Sequence, residues 1–283
     1  MIFLLTGSKG LLGSQFLKYI NSKFLYTLDL RLNNDIDYEF NNIITDYKSL
    51  DKIIAGEKNI VLLHFATKYN TNHFIDIYNS NFLFGFDLIN FLSKYHSTKF
   101  YFLNLSTPLP PLYNSYSLTK ILFSNFIKYS SNNYKNFCFL NIILFNFFSG
   151  KSYSKKFPDD FINSIYNNSD FFEFTNGLQK RDFIFIDDVI DALLFLVSNI
   201  HEFKSNYYDI ELGTSHPYSI KEFSWIIKDF YQSNIKLNFG KFPCNIYEPV
   251  LLSSNNYFLS ALGWKPKFTL ESALQKIKGE RYL

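Results

Sequence analysis

Cysteine, arginine and blocks of like charge are all scarce in this sequence. Only two of the 283 residues are cysteine, Cys138 and Cys244, and they lie far apart without the spacing of a metal-binding or redox motif. We therefore expect a reduced compartment, and we expect both cysteines to be small buried residues. The net charge of +3 is spread along the chain without a basic block, which argues against nucleic acid as a partner.

Long apolar stretches are missing as well. No run reaches the length of a membrane span without an Asn, Lys or Asp inside it, and no basic leader precedes the first apolar run. The five histidines do not have the spacing of metal ligands, so we expect no metal site. A cytoplasmic protein that makes no contact with a membrane is the simplest expectation.

Glycine is rare too, yet three of the 11 glycines stand close together. They follow the first apolar run at three-residue spacing and directly precede a segment of helical period. Glycines at such a turn let the backbone approach a pyrophosphate closely, and the helix that follows offers free N–H groups. The turn is therefore a candidate dinucleotide site. Its candidate residues are Gly7, Lys9, Gly10, Leu11, Leu12 and Gly13.

What the sequence does have is an alternation of two patterns. Apolar runs of strand length, such as MIFLLTG, NIVLLHFAT and KFYFLNLST, alternate with segments of helical period. This order predicts the α/β class, with a Rossmann-type, doubly wound parallel sheet covered by helices on both faces. From Ser149 the pattern breaks into polar residues with shorter apolar segments. We expect a Rossmann domain over residues 1–150, to which residues 181–213 return, and a smaller region formed by residues 151–180 and 214–283.

A Tyr-x-x-x-Lys motif occurs three times, beginning at Tyr19, Tyr95 and Tyr116. With 21 tyrosines and 25 lysines in the chain, roughly two copies are expected by chance, so the motif alone decides nothing. Only the copy formed by Tyr116 and Lys120 follows the fifth predicted strand and begins a helix, on which residues four apart lie on one face. We interpret the other two copies as surface helix ends.

The second predicted strand ends on residues with opposite implications for the cofactor. Asp29, 22 residues after Gly7, is placed to accept hydrogen bonds from an adenosine ribose, which favours NAD. Lys9 and Arg31 can instead neutralise the 2′-phosphate of NADP. The choice between NAD and NADP stays open on the sequence.

The glycine spacing resembles that of the short-chain dehydrogenases/reductases, and other motifs are similar to the extended branch of that superfamily, the NAD-dependent epimerase/dehydratase family. The segments that carry the resemblance are Thr45-Asp46, His64-Phe65-Ala66-Thr67, Asn81, Thr107, Tyr116 with Lys120, Gly177–Val189 and Leu262-Gly263-Trp264-Lys265-Pro266. The resemblance implies that Asp46 lies beside the adenine. It also implies that Phe65, Ala66, Thr67 and Asn81 belong to the cofactor site.

The resemblance further implies a role for each residue of the candidate active site. Tyr116 would exchange a proton with the substrate oxygen, and Lys120 would stabilise its phenolate and bind the nicotinamide ribose. Thr107 would hold the substrate oxygen, and Ser106 takes that role if the strand ends one residue earlier.

Arg181 is one of only three arginines, and it lies in the segment Gly177–Val189. A guanidinium there is suited to bind the diphosphate of a substrate with two hydrogen bonds. The alternative is a structural ion pair with Asp182 or Asp187.

Two departures from the family pattern restrict the reactions that we expect of this chain. Tyr116 comes nine positions after Thr107, closer than is usual in the family, and three prolines stiffen the segment between them. Pro108 and Leu109 stand where the dehydratases carry an Asp-Glu pair, so 4,6-dehydration is not expected. The Thr-Pro-Leu-Pro-Pro loop and the Gly-Leu-Gln-x-Arg-Asp-Phe segment most resemble the CDP-paratose synthase type, which reduces a nucleotide-linked 4-keto-6-deoxy sugar with NADPH.

We therefore predict NAD(P)H-dependent reduction of the C4 ketone of a nucleotide-diphospho-4-keto-6-deoxy sugar, for deoxysugar and surface polysaccharide biosynthesis. NADPH is the favoured cofactor under this hypothesis, and residues 151–180 and 214–283 would bind the substrate. Two alternatives stay open: a 4-epimerase that keeps NAD tightly bound, and a catalytically silent cofactor-binding protein. The resemblance also implies a homodimer formed by the helices that begin near Asn81 and Tyr116.

Overall fold

The computed structural model of the chain describes residues 1–20, 25–28, 43–44, 46–69, 73–151 and 156–281. Its strands are β1 (Ile2–Thr6), β2 (Leu25–Leu28), β3 (Ile43–Ile44), β4 (Asn59–His64), β5 (Lys99–Ser106), β6 (Phe137–Leu144), β7 (Asn146–Phe148), β8 (Phe171–Glu173), β9 (Lys180–Phe185), β10 (Tyr207–Leu212), β11 (Pro217–Ser219), β12 (Lys236–Asn238) and β13 (Leu251–Leu252).

The α-helices of the described residues are α1 (Leu11–Leu17), α2 (Tyr47–Ile54), α3 (Phe74–Tyr78), α4 (Phe84–Ser93), α5 (Ser115–Asn133), α6 (Phe157–Tyr166), α7 (Ile186–Ser198), α8 (Ile220–Phe230), α9 (Tyr257–Ala261) and α10 (Leu270–Arg281). A π-helical turn, Asn79–Leu83, joins α3 to α4, and a 3₁₀ turn, Ile200–Glu202, follows α7.

The contacts divide the chain into two compact units. The first unit comprises Met1–Thr107, Asn114–Ile143 and Leu196–Ile210, and the second comprises Pro108–Tyr113, Leu144–Phe195 and Glu211–Leu283. We predicted that residues 181–213 return to the first unit, but the part that returns is Leu196–Ile210. Strand β9 stays in the second unit because it pairs there with β7, β11 and β13.

The first unit is built on a seven-stranded sheet, which confirms the predicted α/β class and Rossmann-type sheet. The strand order is β10-β6-β5-β4-β1-β2-β3, and the pairs from β6 to β3 are parallel. The chain order reverses between β1 and β4. In open α/β sheets, ligands bind beyond the carboxyl ends of the strands at such a reversal.

Phenylalanine fills much of the core of this unit. Phe100 and Phe102 on β5, Phe137 and Phe139 on β6, and Phe123 on α5 are fully buried. Burying a phenylalanine side chain contributes about 2 to 3 kcal/mol, so this cluster fixes α5 firmly against the sheet. The sheet is apolar on both faces, as expected when helices cover both sides.

The second unit contains two small sheets. In the larger one, β9 pairs with β11 in antiparallel orientation and with β13 and β7 in parallel. In the smaller one, β8 and β12 pair in parallel. The ring of Phe183 on β9 stacks on that of Phe223 on α8 with centroids 3.8 Å apart, which joins α8 to the larger sheet.

One buried carboxylate organises the loops of this unit. Asp182 on β9 is fully buried and accepts hydrogen bonds from the backbone N–H and hydroxyl of Thr214, at 2.8 and 2.5 Å. It also accepts from the N–H of Ser215 at 2.9 Å and from the N–H and hydroxyl of Ser254, at 3.1 and 2.5 Å. Five donors therefore converge on one carboxylate and connect three segments of the chain.

The two cysteines differ in their surroundings. Cys138 is buried on β6, as predicted, but Cys244 is exposed, so the expectation that both are buried was wrong for Cys244. Cys244 lies in an exposed loop that follows β12. Within the described residues, no helix is long and apolar enough to cross a membrane.

Candidate active site

The glycine turn packs tightly against the end of β4. Gly7 has φ of +72°, a conformation that L side chains rarely adopt, and a Cβ there would lie 2.6 Å from the backbone of Phe65 and Ala66. The N–H of Gly10 donates to the carbonyl of Gly7 at 3.0 Å, and a Cβ on Gly13 would collide with that carbonyl oxygen. All three glycines therefore shape one close turn at the reversal of strand order.

The other residues of the predicted turn differ in exposure. Lys9 is exposed, whereas Leu11 and Leu12 are partly buried in the first turn of α1. Phe65 is buried and meets the ring of Phe16 on α1 edge-on at 5.6 Å. The side chain of Phe65 is thus a core group between β4 and α1.

Thr6 and His64 connect the ends of β1 and β4. The Thr6 hydroxyl lies 3.0 Å from His64 Nδ1 and accepts a hydrogen bond from the N–H of Ala66 at 3.2 Å. His64 is fully buried, with its ring 5.5 Å from that of Phe102 and 5.4 Å from that of Phe123. His64 is therefore packed among aromatic rings. In the described part of the chain, no group of three or more side chains of the metal-ligating types occurs.

Asn81 ties the segment after β4 to α5. It is fully buried in the π-helical turn, where its side-chain oxygen accepts from the Thr67 hydroxyl at 3.1 Å and from the N–H of Lys68 at 2.8 Å. Its amide group donates to the carbonyl of Lys68 at 3.0 Å and to the Thr119 hydroxyl at 3.2 Å. Short π-helical turns often occur at functional sites, and this one directs a single amide at two neighbouring segments.

The helix that carries Tyr116 and Lys120 begins with a capping box. The Asn114 side chain accepts from the N–H of Ser117 at 2.8 Å, and the Ser117 hydroxyl accepts from the N–H of Asn114 at 3.2 Å. The cap fixes the start of α5 two residues before Tyr116. Tyr116 and Lys120 therefore lie one turn apart on the same face of α5, as predicted.

Burial shifts the pKa values of both groups. It raises the pKa of Tyr116 well above its usual value, and the neighbouring Tyr69 raises it further. It lowers the pKa of Lys120 to about 8, because the charged ammonium loses its hydration. Lys120 is only 2% exposed, so its ammonium is a strong local influence on any charge that develops on Tyr116.

Tyr69, which the sequence did not single out, contacts Tyr116 directly. The two rings stack with centroids 4.2 Å apart and planes at 22°, and the two hydroxyl oxygens are 3.3 Å apart. The residues are 47 positions apart in the chain, and no spacing rule connects them.

Thr107 and Ser106 have different surroundings at the end of β5. The strand includes Ser106, so the condition under which Ser106 would replace Thr107 is not met. The Ser106 hydroxyl is buried and lies 2.7 Å from that of Ser124 on α5. Thr107 is buried and directly follows the strand. The roles of both residues toward a substrate stay predictions.

A buried polar network extends from Ser106 across α5 to β6. The Ser124 hydroxyl lies 3.1 Å from the side-chain oxygen of Asn141, which also accepts from the Asn104 amide at 2.8 Å. The Asn141 amide donates to Asp209 at 2.8 Å. The sequence did carry a signal for this network, because two apolar strands each contain one asparagine and the structure pairs them in register.

In the second unit, Arg181 forms an ion pair, but with a partner that the sequence did not predict. The guanidinium is 4% exposed and donates to the Glu248 carboxylate at 2.6 Å and to the carbonyls of Lys180 and Pro249 at 2.7 and 2.9 Å. The suggested partners Asp182 and Asp187 were wrong. Asp182 faces the loops described above, and Asp187 pairs with Lys276.

The remaining residues of the predicted cofactor site are Asp29, Arg31 and Asp46. Asp29 and Arg31 lie outside the described residues. Asp46 is the exposed N-cap of α2, and it accepts hydrogen bonds from the N–H and hydroxyl of Ser49, both at 2.8 Å. These bonds hold the pKa of Asp46 below its usual value.

Comparisons with known proteins agree with this architecture. The CDP-abequose synthase of Salmonella muenchen is 29% identical over 238 residues, 81% of this chain and 80% of that protein. The CDP-abequose synthase of Salmonella typhimurium is 25% identical over 97% of this chain and 96% of that protein.

Solved structures show the same fold. The UDP-glucuronic acid 4-epimerase of Bacillus cereus, in complex with UDP-glucuronic acid and NAD, superposes with a TM-score of 0.79 at 18% identity, covering 99% of this chain and all of that one. The UDP-glucose 4-epimerase of Thermotoga maritima gives 0.78 at 17% identity, covering all of this chain and 99% of that one.

The family model that matches this chain covers residues 3–213 and is described as the NAD dependent epimerase/dehydratase family. The matched region includes the glycine turn, Asn81, Thr107 and the Tyr116–Lys120 pair. The chain is thus an enzyme of the extended short-chain dehydrogenase/reductase type and belongs to the NAD dependent epimerase/dehydratase family.

Proposed function

We propose that this enzyme reduces the C4 ketone of a nucleotide-diphospho-4-keto-6-deoxy sugar with NADPH as the favoured cofactor. The observation that carries the proposal is the pair Tyr116 and Lys120, held one turn apart on a capped helix that Asn81 ties to the end of β4. The names of the Salmonella relatives add support, since both are synthases of a CDP-linked sugar.

The glycine turn and the end of β4 fit a dinucleotide. A Cβ at Gly7 or Gly13 would fill the close turn, and Ala66 and Thr67 follow β4 next to it. When bound, the reduced nicotinamide supplies a hydride to the carbonyl carbon. We propose that Lys9 and the 2′-phosphate of NADP form an ion pair at the exposed edge of this turn.

The residues of the chain handle the proton and the orientation of the substrate. Tyr116 keeps its proton in the free protein because burial raises its pKa, so it is ready to protonate the oxygen that becomes a hydroxyl. The buried ammonium of Lys120 stabilises the phenolate that remains. Thr107 orients the ketone. Because Pro108 and Leu109 carry no acid or base, the chain has nothing at these positions to remove water from the sugar.

Arg181 would bind the diphosphate of the substrate. In the structure its guanidinium is bound to Glu248, so a diphosphate must share or replace that carboxylate. A diphosphate carries more charge than one carboxylate and offers more acceptor oxygens, and both properties favour its binding to the guanidinium.

A homodimer through α5 is part of the proposal. Leu118, Leu122 and Tyr129 on α5 are 42%, 43% and 69% exposed, and their spacing places them along one side of the helix. A second copy of the same helix would cover this apolar face. Sedimentation should give twice the chain mass of 33.4 kDa, and a single-chain mass would refute the dimer.

The reaction can be tested by following the absorbance of NADPH and NADH with CDP-, dTDP- and GDP-4-keto-6-deoxyhexoses. We expect stoichiometric oxidation with one of them, with CDP tested first. Tyr116→Phe should abolish it, and Tyr95→Phe should not, because Tyr95 belongs to a copy of the motif outside the site. No oxidation together with copurified NAD would favour a 4-epimerase. No oxidation and no cofactor binding would favour a catalytically silent protein.

A further inference from the structure

The side chains of Tyr69 and Tyr116 contact each other through both their rings and their hydroxyl groups. The rings stack at 4.2 Å, and the hydroxyl of Tyr116 donates toward that of Tyr69 across 3.3 Å. Tyr69 is 45% exposed, whereas Tyr116 is only partly exposed. Tyr69 is therefore the more exposed residue of the pair, whereas Tyr116 is the residue that the proposed reaction uses.

The position of Tyr69 is fixed from both sides of the contact. The residue before it, Lys68, is held by Asn81 through both its N–H and its carbonyl, at 2.8 and 3.0 Å. The same amide donates to Thr119, three residues after Tyr116 on α5. A single buried side chain thus sets the distance between the segment that carries Tyr69 and the helix that carries Tyr116. Because the hydrogen bonds of Asn81 hold both segments, the contact between Tyr69 and Tyr116 differs from a chance contact of two surface rings.

We propose that Tyr69 is a proton-relay residue that restores the proton of Tyr116 after each turnover. The inference rests on the proposed reduction, in which the Tyr116 O–H bond breaks and its proton passes to the new alkoxide oxygen of the substrate. The phenolate left on Tyr116 then accepts the proton of the Tyr69 hydroxyl, so the hydrogen bond between the two oxygens reverses. Tyr69 regains a proton from solvent water or a buffer acid. No further oxidant or reductant is needed, because only protons move in these steps.

Physical reasons favour a relay over direct contact of Tyr116 with solvent. A substrate seated against Tyr116 and Thr107 excludes water from the reacting oxygen, and Lys120 is buried beneath. The hydroxyl of Tyr69, a residue that is 45% exposed, lies 3.3 Å from that of Tyr116 and offers a route by which a proton can reach it. The contact also raises the pKa of Tyr116, so it keeps that phenol protonated until the reaction needs its proton.

The first test is steady-state kinetics of Tyr69→Phe, which keeps the stacked ring and removes only the hydroxyl. We expect kcat to fall about tenfold in dilute buffer with little change in KM, a smaller loss than the roughly hundredfold or more that removal of a direct proton donor causes. Small buffer acids should restore part of kcat in Tyr69→Phe by delivering protons in its place. They should leave the wild type and the control Tyr95→Phe unchanged. An unchanged kcat, or a loss that no buffer acid relieves, would overturn the relay.

A second measurement does not depend on the reaction. In protein labelled with ¹³C at tyrosine Cζ, the Tyr116 signal is identified by its loss in Tyr116→Phe. Removing the Tyr69 hydroxyl should let the Tyr116 signal begin its shift toward phenolate at lower pH, because Tyr69 raises the pKa of Tyr116. An unchanged titration would show that the Tyr69 hydroxyl does not make the contact with Tyr116 on which the relay depends. If no keto sugar is reduced by the wild type, the proposed reaction fails, and this titration alone decides whether the proton contact exists.

Discussion

The buried carboxylate of Asp182 offers a sharp test of how the second unit is held together. Five donors from Thr214, Ser215 and Ser254 converge on it at 2.5 to 3.1 Å. Asp182→Asn keeps the size of the side chain but replaces one acceptor oxygen with an NH₂ group. The substitution therefore changes hydrogen bonding and charge while leaving the packing volume nearly unchanged.

The expected fall in the free energy of unfolding follows from the best orientation of the amide group that Asp182→Asn introduces. Its oxygen can keep the three donors of Ser215 and Ser254, and its NH₂ then faces Thr214. The Thr214 hydroxyl can rotate to accept, but the Thr214 N–H loses its acceptor, at a cost of about 1 to 2 kcal/mol. The three retained bonds lose their charge assistance, about 1 kcal/mol each. We expect the free energy of unfolding to fall by about 4 kcal/mol.

Urea unfolding followed by tryptophan fluorescence measures this change. Trp264 is 3% exposed in the same unit and donates to Asp191 at 2.8 Å, so its emission should report the loss of this unit's packing. Asp187→Asn is the matched control, because it removes only a partly exposed pair with Lys276 and should cost less than about 1 kcal/mol. An Asp182→Asn protein as stable as this control would refute the argument that the five donors need a charged acceptor.

Three other predictions address the first unit. Lys120→Met should abolish reduction yet stabilise the cofactor-free protein at pH 7 by up to roughly 3 kcal/mol, since a pKa of about 8 against the usual 10.5 makes the buried ammonium costly. Between pH 8 and pH 10.5 the unfolded chain holds a proton on Lys120 that the folded chain does not. The free energy of unfolding of the wild type should therefore rise from about pH 8 upward, and that of Lys120→Met should not. A Lys120→Met protein less stable than the wild type at pH 7 would contradict the argument that the buried ammonium is costly. Gly13→Ala should weaken NADPH binding from about fivefold to about a hundredfold in fluorescence titrations, because displacing the turn costs about 1 to 3 kcal/mol. Gly279→Ala, where the added Cβ meets open space, should bind as the wild type does. Leu122→Glu should give a single-chain mass in sedimentation, and an unchanged dimer mass would place the interface elsewhere.

Local spacing predicted those parts of the site that neighbouring residues build. The glycine turn and the pair Tyr116 and Lys120 each lie within one turn and one helix, where sequence distance and spatial distance agree. Their setting after particular strands followed from the alternation of apolar runs, which the parallel sheet confirms.

Contacts made by pairing of distant strands could not be predicted in this way. The nearest acidic residues to Arg181 in the sequence were the wrong partners, because β13 lies beside β9 and brings Glu248 next to the guanidinium from 67 positions away. Tyr69 meets Tyr116 for a similar reason, since the sheet places the end of β4 near α5. Of these distant contacts, the one between Asn104 and Asn141 does have a signal in the sequence, because both are polar residues inside apolar strands.

The π-helical turn Asn79–Leu83 also determines how far α4 is rotated about its axis relative to α3. A π turn accommodates one residue more than an α-helical turn, and each residue advances a helix by about 100°. Removing one residue between Asn79 and Leu83 would thus rotate α4 by about that angle relative to α3. Gly85, where the Phe123 ring leaves no room for a Cβ, would turn away, and a bulkier neighbour would face that ring. A one-residue deletion here should therefore be far more harmful than one in an exposed loop.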